Sequence, residues 1–185
     1  MDSSVQEGTP IQEAFRFCPK CGAPSAAIGK IPYQCPQCGF SFYFGPVAAV
    51  GGLILNDNDE MLLVRRARNP GLGKWGLPGG FVDRDETIEE ALAREIREET
   101  KLELREQELL TTFPNSYHYQ GIVAPVIDLF YVCRVDDLEK IQLEPDELDT
   151  FEWTGSPVSF ADEMAFESNR RAIEFWQSKQ EAKPS

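Results

Sequence analysis

The sequence predicts an α/β domain carried behind a small cysteine-rich module. Three features lead there: two Cys-x-x-Cys pairs near the N-terminus, a series of strand-like stretches from Val47 onward, and an acidic amphipathic helix behind a Gly/Pro-rich loop. A chain of 185 residues holds one domain of ordinary size plus a small appendage. A formal net charge of -13 argues against a nucleic-acid or anionic-membrane surface, either of which would want a basic stripe. The longest apolar run, Val47 to Leu55, contains two glycines and falls well short of the roughly 18 residues that spanning needs. The opening MDSSVQEGTP is acidic and polar, unlike a secretory signal. The expectation is a soluble cytoplasmic protein with no nucleic-acid and no membrane partner.

Residues 1–14 read as a flexible leader. Within 15–44, Cys18-Pro-Lys-Cys21-Gly and Cys35-Pro-Gln-Cys38-Gly are two knuckles thirteen residues apart. They supply four thiolates for tetrahedral Zn²⁺, and the glycine after each second cysteine lets backbone amides turn toward sulfur. Disulfides are the alternative; the duplicated pattern and a cytosolic setting favour zinc. Four cysteines leave no open position, so the zinc is structural, and so small a ribbon needs it to fold. The ribbon's aromatics could stack on bases, but with few cations nearby, packing against the next domain is the favoured use. Cys133, left over in an apolar run, reads as a small buried hydrophobe.

The second domain is placed at 45–180. Val47–Leu55 reads as a strand, Asn56–Asp59 as a turn and Met61–Arg65 as the hairpin partner. The loop Asn69 to Gly80 carries two prolines and five glycines. Strands are expected at Leu109–Phe113, at Ile122–Val135 (where Pro125 marks a break, an edge or a bulge) and at Thr150–Trp153. A last helix starts near Ser168 as N-cap.

The acidic helix is the chemically loaded element. Thr87 and Glu90 form a Thr-x-x-Glu capping box, which starts the helix near Ile88. Ile88, Leu92 and Ile96 recur at i, i+4, i+8 and face a core. Glu95 and Glu99 point beside that stripe, with Glu98 further round the same shoulder. Like charges that close are costly unless neutralised. The bland reading is a solvated face paired to Arg94 and Arg97; the alternative is a hard divalent cation on oxygen ligands, Mg²⁺ or Mn²⁺.

The spacing weighs on that choice. Gly80, Glu86, Arg94-Glu95-Ile96, Glu98-Glu99 and Leu102 resemble the Nudix box of the Nudix hydrolases, at eight of nine positions over a 23-residue span. The departure is Lys101, where the family has glycine; a left-handed lysine there should cost about 1 kcal/mol, offset in part by its charge at the helix end. LLVRRA, KW-LPGGFVD and FEW also look like Nudix framework.

The resemblance implies an α/β/α sandwich around a mixed sheet. A zinc ribbon in front is similar to the layout of NADH pyrophosphatases and related dinucleotide hydrolases, which release a nucleoside monophosphate. Carried over by position, Glu95, Glu98 and Glu99 are metal ligands, Glu98 and Glu95 are joint candidates for the base, and Arg94 pairs with Glu98 and orients it. The Gly79 carbonyl is a further ligand candidate, and Glu86 braces the loop. A later acidic ligand falls on Glu147, with Glu144 and Asp146 competing.

Arg65, Arg66 and Arg68 either meet phosphate, Arg66 foremost, or offset the acidic helix. Tyr117 and Tyr119 either stack a base or are alternating strand residues, and His118 between them points the other way. The SQPWPFPxS stretch of NADH pyrophosphatases has no counterpart in TTFPNSYHYQGI, so NADH, ADP-ribose and FAD all stay open as the small-molecule partner. The competing reading is a non-catalytic Nudix-like nucleotide sensor whose ribbon contacts a partner. Three carboxylates with their arginine favour the enzyme. By analogy with ribbon-bearing hydrolases, a homodimer is expected.

Overall fold

The computed structural model describes residues 8–182. Its elements are β1 (Thr9–Pro10), α1 (Ile11–Ala14), β2 (Tyr33–Gln34), β3 (Ser41–Phe42), β4 (Val47–Ile54), β5 (Met61–Arg66), β6 (Trp75–Gly76), α2 (Ile88–Thr100), β7 (Leu104–Tyr119), β8 (Ile122–Val135), β9 (Leu148–Thr154) and α3 (Glu167–Glu181), with short 3₁₀ segments between β8 and α3. No helix among the described residues is long and apolar enough to cross a membrane. The chain divides into two compact units: one up to Val47 together with Ser116–Val126, the other Ala48–Asn115 with Ile127 onward.

The first unit is built from the knuckles outward. The first knuckle closes through a bridge between Phe17 and Pro24, and β2 and β3 pair antiparallel in register Tyr33↔Phe42. Residues 1–7 of the expected leader lie outside the described residues. Residues 8–14 are ordered, because β1 runs parallel to the start of β8 (Thr9↔Ile122) and Gly29 N–H donates to Gln12 O. Within the ribbon the aromatics pack on one another. Phe15 lies against Tyr33, Phe42 and Phe44 with ring centroids 4.8–5.9 Å apart. Rings need that mutual cover where the apolar core is small. Phe17 and Tyr43 stay exposed.

In the second unit, alternation along two central strands sends side chains to opposite faces. Val50 and Ile54 of β4 and Leu62 and Val64 of β5 join Ala91, Leu92 and Ile96 of α2. Leu53 of β4, Leu55 just beyond it, and Met61 and Leu63 of β5 join Ala172 and Ile173 of α3. That is an α/β/α sandwich, with each fully buried Leu or Ile contributing roughly 1.5–3 kcal/mol. The strands belong to two sheets: β4, β8 and β7 (with β1) in one, and β6-β5-β9 in the other. β4 and β5 are therefore not the expected hairpin. They share a single bridge, Leu55↔Met61, and then diverge. The free edge of β4 is taken by the loop before α2, through Gly52 N–H to Pro78 O and Val50 N–H to Gly80 O. Both edges of β5 are filled by β6 and β9.

β8 runs through Pro125 without a break. α3 starts one residue before Ser168, with Phe166 as N-cap and no side-chain cap. Ser168 is 1% exposed, and its hydroxyl faces the buried Asp128 carboxyl instead of capping the helix.

Candidate functional site

α2 is capped as its sequence dictates: Thr87 Oγ1 accepts from Glu90 N–H and the Glu90 carboxylate accepts from Thr87 N–H. At its other end Lys101 is left-handed, φ 60°. Its Nζ donates to the Glu98 carbonyl at 2.9 Å and lies 3.5 Å from Glu144, so the charge falls on an otherwise orphaned helix-end acceptor.

Two close approaches set α2 against β4 and the preceding loop. A Cβ on Gly52 would sit 2.8 Å from Ile96 Cδ1, and one on Gly80 would sit 2.6 Å from the Glu95 carboxylate. Gly79, at φ 147°, has no room at all: its Cβ would lie 2.1 Å from the Val50 carbonyl oxygen. Glycine is required there to bring backbone against carboxylate. The result is a hydrogen bond of 2.9 Å from Gly79 N–H to Glu99 Oε2.

Glu99 is 5% exposed. Burial pushes its pKa up to about 8; the Gly79 amide pulls the other way, and the charges of Glu95 and Glu147 add to the rise. Burial also raises Glu95, against the pull of Arg94. Glu98 is different: its side chain is 58% exposed.

Arg94 ties the group together. Its Nη1 lies 2.8 Å from Glu95 and 3.2 Å from Glu98, while Nε and Nη2 grip Glu86 at 3.1 and 2.6 Å. Nη2 also donates to the Phe81 carbonyl. Glu86 in turn accepts from Asp83 N–H at 2.6 Å, so it braces the loop.

Glu147 lies on the loop before β9, paired to Arg68 at 2.7 Å, and its charge reaches both Glu95 and Glu99. Arg65 pairs with Asp149. Arg66 donates from Nε to the Pro70 carbonyl, lies 5.2 Å from the Phe166 ring centroid and eases the Glu99 charge. Tyr117 and Tyr119 belong to the first unit and face each other, centroids 6.2 Å apart.

Asn169 had no signal in the sequence. It is a single amide in the first turn of α3, yet its Oδ1 accepts from Leu77 N–H, ninety-two positions away in the chain, at 3.1 Å.

The other cluster is closed. Cys18 Sγ lies 3.7 Å from Cys38 Sγ, and Cys21 Sγ lies 3.8 Å from Cys35 Sγ. A tetrahedron with Zn–S bonds of about 2.3 Å has edges of about 3.8 Å, so the spacing fits zinc. Burial pushes the Cys18 thiol up, but hydrogen bonds from the backbone amides of Cys21 and Lys20 and from the Cys21 and Cys35 side chains together draw it down to about 6. Among the described residues these cysteines are the one set of three or more Cys, His, Asp or Glu whose ligand atoms all lie within 4.8 Å of one another. Glu95, Glu98 and Glu99 do not form such a set.

The NUDIX domain family matches residues 45–172, which contain the carboxylate cluster. The chain belongs to the Nudix family. It is 46% identical over 74 residues to an ADP-ribose pyrophosphatase of Methanocaldococcus jannaschii, covering 40% of this chain and 43% of that protein. It is 33% identical over 134 residues to the NAD-capped RNA hydrolase NudC of Pseudomonas aeruginosa, covering 69% and 46%. The chain thus spans less than half the length of these curated relatives. The fold is similar to that of a NUDIX hydrolase from Nitrosomonas europaea, with a TM-score of 0.69 at 24% identity over 92% of this chain and 95% of that one. Lys101 takes the left-handed C-cap position itself, its N–H donating to the Arg97 carbonyl, and leaves the carboxylates in place.

Proposed function

We propose that this Nudix protein hydrolyses the pyrophosphate bond of a nucleoside diphosphate linked to a second group, releasing a nucleoside monophosphate. The observation that carries the reading is the half-buried Glu95 beside the buried Glu99, held against Gly80 and Gly79 with Glu98 at the rim. Two carboxylates raised by burial, Glu99 further by the charges of Glu95 and Glu147 and Glu95 by those of Glu98 and Glu147, are a poor resting arrangement for a protein and a good one for a hard cation.

The donors are all oxygen, which fits Mg²⁺ or Mn²⁺, with Glu95, Glu98, Glu99, the Gly79 carbonyl and Glu147 as the ligand set. Such a cation supplies positive charge for a pyrophosphate that an acidic protein would otherwise repel. Glu98 or Glu95 takes the proton of the attacking water as its oxygen bonds to phosphorus and the anhydride P–O bond breaks. Arg94 holds both glutamates in orientation. Arg66 meets phosphate oxygens. The relatives' names point to ADP-ribose and NAD-type compounds as the substrate class.

The ribbon, residues 15–44, takes a structural Zn²⁺, and residues 45–180 form the hydrolase domain of a cytoplasmic homodimer. The test is a turnover screen of ADP-ribose, NADH, NAD and FAD with Mg²⁺ or Mn²⁺, reading released nucleoside monophosphate. Cleavage of one compound far ahead of the others identifies the substrate. Binding without any cleavage would overturn the hydrolase in favour of a nucleotide sensor.

A further inference from the structure

We propose that Asn169 is a positioning residue for the carboxylate site: from the start of α3 its amide oxygen fixes the turn that delivers the Gly79 N–H to Glu99. The proposal rests on the hydrolase reading above.

The segment from Trp75 to Gly80 is gripped from two sides. From the α3 side, Ala165 N–H donates to Trp75 O at 2.7 Å, Met164 bridges to Trp75, and Asn169 Oδ1 receives Leu77 N–H at 3.1 Å. From the β4 side, Gly52 N–H donates to Pro78 O at 2.9 Å and Val50 N–H to Gly80 O at 2.8 Å. Gly79 lies between these anchors with no slack, since even a Cβ would collide with the Val50 carbonyl. Its N–H reaches Glu99 only while the anchors hold.

Asn169 grips the segment through its side chain, whereas Ala165, Met164, Gly52 and Val50 grip it through backbone groups. It is 9% exposed, and Leu77 is 8% exposed, so no water stands ready to replace the acceptor. Gly76 is kept small by the same contact, because its Cβ would lie 3.3 Å from Asn169 Oδ1. A polar side chain that orients ligands from behind typically governs metal affinity or activity by roughly 10–100-fold.

The test compares Asn169→Leu, similar in size but without an acceptor, with Asn169→Asp, which keeps one. Mn²⁺ binding to the full chain without nucleotide is measured by electron paramagnetic resonance. It is read beside the thermal midpoint and beside kcat and KM on whichever substrate the wild type cleaves. We expect N169L to bind Mn²⁺ at least about tenfold more weakly and to lose about 10–100-fold in kcat with KM little changed, while N169D stays close to wild type. If N169L does not fold, Asn169→Ala leaves the same N–H unmet without adding bulk and is read in the same way. A lowered midpoint with unchanged Mn²⁺ affinity and kcat would show that Asn169 is only structural and end the proposal. An N169D as damaged as N169L would end it too. A wild type that binds no Mn²⁺ and cleaves nothing refutes both readings, whereas an active wild type beside an unaltered N169L refutes this one alone.

Discussion

The two acidic-ligand clusters of this chain are built on opposite plans. Four cysteines on two knuckles already stand 3.7–3.8 Å apart across their pairs, closed and fully specified by local sequence. Three glutamates on one helix share a shoulder but do not close: Glu99 is turned onto Gly79, Glu95 is packed beside Gly80, and Glu98 is drawn to Arg94. The difference teaches what each is suited for. A closed set of soft ligands leaves no room for a reactant and can only hold structure. On the proposed reading, an open set of hard oxygen donors with one exposed member keeps positions for water and substrate.

The largest expected break is in the closed site. Replacing Cys35 with Ala, or stripping zinc with a chelator, removes an interaction with apparent strength of about 10–16 kcal/mol in zinc modules. Hydrogen exchange over residues 15–44 should rise to that of an unfolded segment while α2 and α3 stay protected. An unchanged exchange pattern would refute the structural-zinc assignment. In the open site, Gly79→Ala forces a Cβ onto the Val50 carbonyl at φ 147°, and a loss of at least about 3 kcal/mol is expected, read by chemical denaturation.

The contrast also extends to pH. Glu99 has its folded pKa raised to about 8, above the ordinary carboxylate value. A raised pKa means the folded state favours the proton. The stability it adds is full below the unfolded pKa and is lost as pH rises through about 8. Metal-free protein should therefore lose stability, on the order of a few kcal/mol, on going from pH 5 to pH 9. Glu99→Gln should flatten that slope, and so should Mn²⁺. A slope identical in wild type and variant would contradict the raised Glu99. The smallest effect is at Lys101: Lys101→Gly relieves about 1 kcal/mol of left-handed strain but gives up the contact to the Glu98 carbonyl, so the net gain in thermal midpoint should be slight.

What was legible in the sequence follows the same division. The knuckles, the capping box, the Ile88–Leu92–Ile96 stripe and the pairing of Arg94 with Glu98 all depend on residues a few positions apart, and all appear in the structure. Strand partnership was not legible. β4 and β5 are adjacent in sequence, but β4 pairs with β8 and its other edge is taken by the glycine-rich loop, a competition settled by distant segments. Ser168 looked like a cap because its residue type suits one; burial beside Asp128 gave it a different neighbour. Asn169 left no mark at all, since its partner lies far along the chain. That Glu95, Glu98 and Glu99 share one shoulder of α2 could be read from spacing; the backbone that meets Glu99 could not.

The most direct measurement is turnover of ADP-ribose and NADH with Mg²⁺ by wild type and by Glu98→Gln, with folding checked by circular dichroism. We expect release of nucleoside monophosphate by wild type, and a folded variant that binds nucleotide but turns over at least about 100-fold more slowly. Equal turnover by the two proteins would contradict the role given to Glu98.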